Sequence, residues 1–600
     1  MRFWSSLRFR NPKVAETSRD AERRQELLLI CHAGDHVSLE VMENICKGLE
    51  FLKIQFSVFD LQRGTAWPSL DGFGSVVICT ENIWRLEFDK AARLIDYTAN
   101  GGGLAVVCRG WNDHLTRLFG LKENLTEPNI HITSGMFFHA NIFPGIQGLR
   151  MDDSDREFDH SRFEIDAEHL HSDCEILASD LGDRPVAWRQ AFGLGKIVYW
   201  NTEVLFCRAL RGFAVQTVLG TMPVAVGAVA GFAMIHVDDF PPSLSDEIAE
   251  PISTEYPGTS RSDFYFGAWY DDMMAMRAKH DLKYTWYTVM NYHDAETAAD
   301  SDLNSPEVMS GQSELERRFR HVRHTADDDE FGFHGYNHEP LISKSWPDTN
   351  ILECKLRLAR DLWEKAVPAP LPVSWVPAAN WYDQDRIRLL KKVFPEITEV
   401  CSLFSSGEQE FGEYREFGPE PWEPSLTCLP RETCGYIQQP EYKMMMLSQI
   451  ASMGVWTHFV HPDDVYDVPA TPNNTNYARN ESSLFWKASS ENGQPGLYAQ
   501  FEAWIAEARQ LFPWLEFVTT SQAAQRLRSH EQNRVEIIVT DTGVEIISEN
   551  AGLFFLRTGK NTTVTPGQGG QLLDRHHLAD GILNTVKCAA GKTVFSLEND

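Results

Sequence analysis

The sequence predicts a multidomain α/β protein with a small β-rich end, and three observations support this. The chain has 600 residues, several times the ~100–200 residues of an average domain. Short apolar runs alternate with helix-like segments over 25–225 and again over 226–528, as strands and crossover helices do. From 529 to 600, apolar and polar residues alternate between Gly and Asn turns, which is typical of an antiparallel β-domain. Residues 1–24 form a charged tail.

The first domain, 25–225, is predicted to contain a parallel sheet. Its apolar runs LLLIC, IQFSVF, SVVIC and LAVVC begin at residues 27, 54, 75 and 104, and strands of parallel sheets, buried on both faces, have this composition. The segment FDKAARLIDYTANGGGLAVVC resembles the helix, glycine turn and strand of the class I glutamine-amidotransferase-like fold. VAWRQAFGLGKIVYWNTE at 186–203 resembles the closing hairpin of that fold.

Cys108 ends one of these runs, where such a fold could carry a nucleophile. A nucleophilic cysteine needs a tight turn and a His/Glu pair to activate it. VVCRGW lacks a glycine two residues before the cysteine, and no convincing His/Glu partner motif follows. We therefore expect Cys108 to be a buried residue at a strand end and the domain to be a non-catalytic scaffold.

Residues 213–235 carry no charge and are about as long as a membrane span. Gly, Pro, Thr and Gln interrupt the stretch repeatedly. It therefore predicts a helix end, a Pro/Gly connector and a buried strand that leads into His236, in preference to a transmembrane helix.

Charge and cysteine content restrict the partners and the compartment. The formal net charge is −30, from 55 Lys and Arg against 85 Asp and Glu, which disfavours nucleic acid and suits a neutral or cationic partner. The eleven cysteines have no paired spacing, which suits a reducing compartment. The first residues contain no continuous apolar core of a signal peptide. We expect a cytoplasmic protein, or an extracytoplasmic one if translation starts further upstream.

Two segments of the central region place metal-competent residues at the ends of apolar runs. AMIHVDDFPP carries Asp238 and Asp239 side by side, where two prolines end the strand. EFGFHGYNHEP carries His334 and His338 four residues apart. That spacing brings two imidazoles to one side of a turn, as a single divalent ion requires.

Two further segments offer side chains that could line a sugar site and a histidine that could donate a proton. VSWVPAANWYD could line a sugar site with four side chains, although each aromatic one can equally belong to the core: Trp375, Asn380, Trp381 and Tyr382. VWTHFVHPDD contains His458 and His461, which face opposite sides of a strand. The strand-end position favours His461 as a general acid.

The order of these motifs resembles the polysaccharide deacetylase superfamily, the metal-dependent carbohydrate esterases with a NodB-homology domain. The resemblance implies a distorted β/α barrel over 226–528 with five functional residues: the base Asp238, the metal ligands Asp239, His334 and His338, and the acid His461. The expected cofactor is a divalent ion, Zn²⁺.

Two departures from the family pattern stand out. Trp375-Val-Pro377-Ala-Ala379 occupies the place of Arg-X-Pro-X-Gly, so the arginine that orients the base is missing there. His236 replaces the Thr of Thr-Phe-Asp-Asp. These departures resemble the divergent deacetylases attached to Pel-type and galactosaminogalactan exopolysaccharides.

The resemblance implies an enzyme, a hydrolase that removes N-acetyl groups from an amino-sugar exopolysaccharide of the kind found in biofilms. Its expected partners are that polymer and the exopolysaccharide synthesis machinery. Two alternatives stay open. One is a non-catalytic polysaccharide-binding or assembly factor with a degenerate barrel; the other is a different metal-dependent amidohydrolase that acts on a peptide or small molecule.

Overall fold

The computed structural model describes residues 25–64, 66–122, 128–152, 159–297, 305–322, 328–405, 414–469 and 478–599. The predicted tail, 1–24, lies outside the described residues. The chain divides into two compact units: Met1–Gly231 with Lys443–Val455 and Ser529–Asp600, and Phe232–Tyr442 with Trp456–Arg528. The three-domain division stays a prediction, but the α/β multidomain class is confirmed.

In the first unit, nine strands among the described residues form one sheet. In sheet order they are Phe56–Asp60, Leu27–Cys31, Ser75–Ile78, Gly103–Val106, Gly195–Trp200, Pro185–Phe192, Glu175–Ser179, Met136–Phe138 and Arg150–Met151. The first five run parallel to one another. From Pro185–Phe192 onward the pairing is antiparallel, so the parallel strands predicted from the first four apolar runs and the hairpin predicted at 186–203 are both confirmed.

The reversal has a local cause in the predicted hairpin. Gly193 has φ +61°, and a Cβ there would lie 2.4 Å from the carbonyl oxygen of Ala99. Only glycine fits this turn, which folds strand Pro185–Phe192 back onto Gly195–Trp200. The helices of this unit are His36–Phe51, Phe88–Ala99 and the fully buried Arg211–Thr221. A separate pair of strands comprises Ile130–Thr133 and His160–Phe163.

The β-rich end is antiparallel, as predicted. One four-stranded sheet has the order Val224–Val229, Gly552–Gly559, Gly581–Cys588 and Gly570–His577; the other has the order Val535–Val539, Gly543–Ser548, Gly591–Asn599 and Thr562–Pro566. Residues of both sheets share one apolar core.

The stretch 213–235 contains two strands where one was predicted. After helix Arg211–Thr221, strand Val224–Val229 joins the C-terminal sheet and strand Phe232–Val237 enters the second unit. Gly231, between the two strands, has a φ of +74°, a conformation that glycine adopts readily. Among the described residues no helix is both long and apolar enough to cross a membrane.

The second unit is built on a curved, half-barrel sheet of ten strands within the described residues. In sheet order they are Gly418–Pro419, Thr427–Cys428, Glu399–Val400, Ser374–Trp375, Glu330–Gly335, Tyr284–Val289, Phe232–Val237, Val455–Val460 and Thr433–Cys434, with Glu516–Phe517 also paired to Phe232–Val237. Thr427–Cys428 pairs with Glu399–Val400, and a few residues later Thr433–Cys434 pairs with Val455–Val460. The NodB-like barrel stays a prediction.

Helices connect these strands. They are Ile252–Glu255, Arg261–Asp263, a wide turn Phe264–Trp269, Tyr270–His280, Pro306–His321, Thr349–Ala366, Gln384–Val393 and Leu497–Leu511. Helix Pro440–Met453 lies mostly in the part of the chain assigned to the first unit, and helix Thr520–Gln532 begins in the second unit and ends in the first. Shorter 3-10 turns over the chain are Glu81–Arg85, Ala167–His169, Val204–Phe206, Arg208–Leu210, Tyr292–Thr297, Ala378–Asn380 and Pro462–Tyr466. Because the neighbouring strands are parallel, their carboxyl ends meet at one edge, where ligands bind in α/β sheets.

Candidate metal centre

Three metal-competent side chains meet at this edge of the second unit. Asp239 follows strand Phe232–Val237, His334 lies on strand Glu330–Gly335, and His338 lies in the turn that follows. One ligand atom of each lies within 4.8 Å of the other two. Asp239 Oδ1 is 3.9 Å from His334 Nε2 and 3.6 Å from His338 Nε2.

The backbone at the site adopts conformations that cost free energy. Four residues at this edge have positive φ values: Asp239 at +55°, His338 at +57°, Ala379 at +50° and Asn380 at +54°. Non-glycine residues rarely occupy this region, and such residues cluster at functional sites. The loops at this edge are therefore held in place by their surroundings.

His334 is oriented for metal binding by its second nitrogen. Nδ1 donates a hydrogen bond to the carbonyl oxygen of Val376 at 2.9 Å, so in the neutral ring Nε2 carries a lone pair. Nε2 is buried and has no hydrogen-bond partner among the described residues. Burial also lowers the pKa of His334, which favours the neutral, ligating form.

The spacing of the three groups fits an ion. Ligand atoms that each lie about 2.1 Å from a tetrahedral Zn²⁺ are about 3.4 Å apart, close to the 3.6 and 3.9 Å observed from Asp239 to the two imidazoles. Burial would raise the pKa of Asp239, but His338 and His334 hold it below its ordinary value. These residues could therefore hold a metal ion.

Tyr292 and Arg318 support the carboxylate of Asp239. The hydroxyl of Tyr292 donates to Asp239 Oδ1 at 3.0 Å, and burial raises the pKa of Tyr292, so the hydroxyl keeps its proton. The buried guanidinium of Arg318 donates to the carbonyl oxygens of Pro241 and Val289 at 2.6 and 3.0 Å. It thereby ties the segment after Asp239 to the end of the neighbouring strand.

Asp238 is held by an arginine that the sequence did not reveal. Its Oδ2 accepts a charge-assisted hydrogen bond from Arg431 Nη1, and both side chains are 1 % exposed. Burial would raise the pKa of Asp238, but Arg431 holds it well below its ordinary value. The expectation that no arginine orients this carboxylate, drawn from Trp375, is wrong. Arg431 reaches it from the segment between strands Thr427–Cys428 and Thr433–Cys434.

His461 lies on the other side of Asp238. Its Nε2 is 3.8 Å from Asp238 Oδ2, and its Nδ1 is 3.0 Å from Asp464 Oδ1. Burial and Arg479 lower the pKa of His461, but Asp464 and Asp238 outweigh them and raise it to about 9. Arg479 donates to Asp464 Oδ1 at 2.6 Å, which fixes that carboxylate. A protonated imidazole is therefore available near neutral pH.

Two other histidines of the second unit, His458 (the competitor of His461) and His236, lie next to threonine hydroxyls. His458 is buried, its Nδ1 is 2.9 Å from Thr433 Oγ1, and its ring stacks on Phe501. Burial lowers the pKa of His458 to about 3. His236, at the position of the family threonine, has Nε2 3.1 Å from Thr520 Oγ1, and burial lowers its pKa to about 3 as well.

The four residues predicted to bind a sugar are differently placed. Trp375 is fully buried, with its ring 5.4 Å from that of Tyr382. The Tyr382 hydroxyl donates to Glu420 at 2.7 Å. Asn380 accepts a hydrogen bond from Arg431 Nη2, and Trp381 is half-buried. Their role in substrate binding stays a prediction.

Sequence reasoning missed three residues, and each of them contacts and holds a side chain of the candidate site. Tyr292, Arg431 and Asp464 contact Asp239, Asp238 and His461 respectively. Asp464 lies three residues after His461 in the sequence His-Pro-Asp-Asp, so the contact between these two side chains could have been predicted from their spacing. Arg431 sits between Pro430 and Glu432 without an apolar run before it.

Comparisons with known proteins give one family and distant structural similarities. The family described as “Uncharacterised protein conserved in bacteria (DUF2194)” matches residues 22–577. No curated protein matches. A candidate polysaccharide deacetylase from Mycobacterium smegmatis is similar at a TM-score of 0.30 and 15 % identity, over 51 % of this chain and 92 % of that one.

Two other solved structures show the range of these similarities. A variant of the peptidoglycan deacetylase PdaC from Bacillus subtilis matches at a TM-score of 0.24 and 10 % identity, over 50 % of this chain and 93 % of that one. A candidate ThuA-like protein from Parabacteroides merdae matches at 0.24 and 11 %, over 33 % and 90 %. At such scores the similarities carry no argument about function. That argument rests instead on the side chains of the site.

Proposed function

This chain belongs to the family described as “Uncharacterised protein conserved in bacteria (DUF2194)”, and from the chemistry of its site we propose that it is a metal-dependent deacetylase. It removes N-acetyl groups from an amino-sugar exopolysaccharide. One observation carries the proposal. A potential ligand set of Asp239, His334 and His338 lies beside a buried carboxylate, Asp238, which itself faces His461 across 3.8 Å.

The ion proposed for the site is Zn²⁺. Two imidazole nitrogens and one carboxylate oxygen form a common ligand set of catalytic zinc, and three protein ligands leave a position open. Bound there, Zn²⁺ would polarise the acetyl carbonyl and make water acidic enough to react near neutral pH.

Asp238 has the properties of the general base. Its low pKa keeps it ionised, and Arg431 engages only Oδ2. Oδ1 is buried and has no partner among the described residues. This free oxygen can accept the proton of the attacking water, while Arg431 keeps the carboxylate from rotating.

His461 has the properties of the general acid. The nitrogen of the departing amine must gain a proton when the amide bond breaks. With its pKa raised to about 9, His461 is protonated at neutral pH, and Nδ1 is engaged by Asp464. Nε2 is the atom directed toward Asp238, so it donates the proton on the side of the ring that faces the site.

We also propose that the half-barrel sheet is the distorted barrel of NodB-homology domains. The path of the chain supports this, because the segment from Thr427 to Cys434 pairs with strand Glu399–Val400 at one end and with Val455–Val460 at the other. A bridge between Leu403 and Arg431 lies between these pairings. The same path brings Arg431 to Asp238.

The substrate class rests on the resemblance of the motifs and on charge. Deacetylation turns neutral N-acetyl groups into ammonium groups, and a chain of net charge −30 attracts the cationic product and partly deacetylated polymer. Asn380 and Trp381, on the turn next to Arg431, are the best placed of the four predicted sugar contacts. The exopolysaccharide synthesis machinery is the proposed cellular partner.

The non-catalytic alternative is weakened by Arg431. It rested on the missing arginine and on the two flanking domains, and the buried ion pair of Arg431 with Asp238 removes the first of these reasons. A buried pair of this kind costs desolvation free energy and is poor evidence for stability alone. Its position beside an ion site is better explained by a need for a fixed, ionised carboxylate.

The decisive experiment measures acetate release by protein reconstituted with Zn²⁺, with chelator-treated protein as the control. Three substrates distinguish the hypotheses: an N-acetylated hexosamine polymer, an O-acetylated polymer without amide groups, and an acetyl-lysine peptide. We expect acetate from the hexosamine polymer alone, and only with metal. Acetate from the peptide alone would indicate a different amidohydrolase. Tight binding of the polymer without acetate from any substrate would indicate a binding factor.

A further inference from the structure

The first unit contains an open cavity of about 510 Å³, and none of its lining residues belongs to the metal centre. Its walls include Arg189 and Lys196 from the two strands of the hairpin, Gly220 from the buried helix, and Lys560 and Asp580 from the C-terminal β region. The volume is in the range of small-molecule sites in proteins.

The carboxylates of this cavity are already neutralised. Glu175 Oε2 accepts hydrogen bonds from Arg189 at 2.6 and 3.0 Å. Asp580 Oδ1 lies 2.6 Å from Arg557 and 3.6 Å from Arg189. The third, Asp173, forms an ion pair of 2.8 Å with Arg117. No carboxylate of the lining is left to attract a cation.

The lysines of the cavity are not neutralised. Within the described parts of the chain, no hydrogen bond or ion pair joins the ammonium group of Lys196 or of Lys560 to another residue. Burial lowers the pKa of Lys196; Asp580 offsets this in part, and Arg557, Arg189 and Lys560 lower it further. An ammonium group that is half-buried among other cations is unfavourable unless an anion joins it.

The wall behind these lysines is rigid. Arg557 is 4 % exposed and donates to Gln216 Oε1 at 2.7 Å, besides its pair with Asp580. Gly220 makes room for this pair, because a Cβ there would lie 2.8 Å from Asp580 Oδ2. A second cavity of about 220 Å³ also borders Lys196. Lys196 therefore lies beside a buried wall whose own charged groups are already paired.

We infer that this cavity binds a small organic anion. The carboxylate or phosphate group of the ligand lies against Lys196 and Lys560, and its polar body lies against the side chains of Gln190, Asn561 and Thr562, which also line the cavity. When Arg117 and Arg557, which pair with two of its carboxylates, are counted, the site has five cationic side chains against three carboxylates on a chain whose net charge is −30. It would select anions from neutral molecules of the same size.

Calorimetric titration of the full chain tests this with four probes: glucuronate, glucose 6-phosphate, inorganic phosphate and uncharged glucose. We expect at least one of the two sugar anions to bind, with an affinity that falls at high salt, while glucose does not bind. Glucuronate alone would identify a carboxylate ligand, and glucose 6-phosphate alone a phosphate ligand. Binding of inorganic phosphate as tight as that of the sugar phosphate would contradict a role for the polar body.

Variants place the ligand in the cavity. Lys196→Met should weaken binding of the anion at least tenfold, and the exposed Lys560→Gln should weaken it less. Lys587→Met, on an exposed position of the same β region outside the cavity, is the matched control and should bind as wild type does. Absence of binding by both sugar anions, or unchanged binding by Lys196→Met, would overturn the inference. Because titration requires no turnover, its outcome is independent of the deacetylase proposal.

Discussion

The parallel strands of both units carry charged side chains beyond their carboxyl ends, but the two units use these side chains differently. In the first unit, Arg109 follows strand Gly103–Val106 and forms ion pairs of 2.5 Å with both Glu81 and Glu203. In the second unit, Asp239 lies 3.6 and 3.9 Å from its two imidazoles.

This difference of more than one ångström distinguishes a cluster whose side chains contact one another from a site whose side chains could share an ion. At 2.5 Å both carboxylates of the first cluster contact the guanidinium directly, so the three side chains pair with one another without a ligand. At 3.6 to 3.9 Å the groups are too far apart for a hydrogen bond and suitably spaced to share an ion. Cys108 belongs with the closed cluster of the first unit. It is buried beside Arg109, and burial raises its pKa well above the ordinary value.

The largest effect should come from removing a ligand in the second unit. His338→Ala should lose bound Zn²⁺ and roughly 10⁴-fold in acetate release, since the ion supplies several kcal/mol of barrier lowering. The His338 side chain is 39 % exposed, so the fold should survive. Elemental analysis and circular dichroism check both points, with the exposed His321→Ala as control. Full metal occupancy in His338→Ala would refute the ligand assignment.

Next in size should be the loss of the base. Asp238→Asn should keep Zn²⁺ and lose about 10³- to 10⁴-fold in kcat, because the amide cannot take a proton from water. Unpairing the buried Arg431 costs stability, so a thermal melt must accompany the assay. Asp385→Asn, on an exposed helix position, is the matched control. An active Asp238→Asn enzyme would mean that another group accepts the proton.

Two histidines test the proton donor. His461→Ala should lose about 10²- to 10³-fold in kcat on an amide substrate with metal retained. His458→Gln should lower the melting temperature, because it disturbs the packing against Phe501, while kcat per folded molecule changes less than about threefold. The reverse result, a dead His458→Gln and a normal His461→Ala enzyme, would show that the assignment of the donor is wrong.

A smaller effect should appear in the pH profile. His461 must be protonated to act as the acid, so kcat/KM should fall as pH rises through its pKa. Asp464 helps to raise that pKa to about 9, and a bound cation nearby would bring it lower. Asp464→Asn removes a negative charge, so the basic limb should move to lower pH. A limb that stays in place would exclude His461 as the titrating group.

The smallest effect should be in the first unit, where the comparison predicts no role in turnover. Cys108→Ala should leave acetate release within about twofold of wild type. Glu203→Gln should cost roughly 1–3 kcal/mol of unfolding free energy by weakening the hold on Arg109, again without an effect on turnover. A loss of more than about tenfold in acetate release by folded Cys108→Ala protein would make the first cluster a second functional site.

Much of the candidate site could be predicted because its residues are local to strands. Asp238 and Asp239 follow one apolar run, and His334 and His338 follow another. Parallel strands bring their carboxyl ends to one edge, so motifs separated by almost a hundred residues come together without detailed knowledge of packing. The antiparallel β-rich end could equally be predicted, from the alternation of its apolar and polar residues.

Other features were beyond the sequence because they depend on pairing between distant segments. Strand Val224–Val229 belongs to the C-terminal sheet, where it pairs with Gly552–Gly559, although its sequence is as apolar as that of a strand in a parallel sheet.

The sequence by itself determined which residues end strands, that two imidazoles and a carboxylate could share an ion, and that His458 and His461 point to opposite sides. These follow from the two-residue period of a strand and the geometry of a turn, which are local. Only the tertiary structure decided that Arg431 neutralises Asp238, that Trp375 is buried, and that unpaired lysines meet in one cavity. These depend on long-range chain paths, because a charged side chain finds its partner through space and not through sequence spacing.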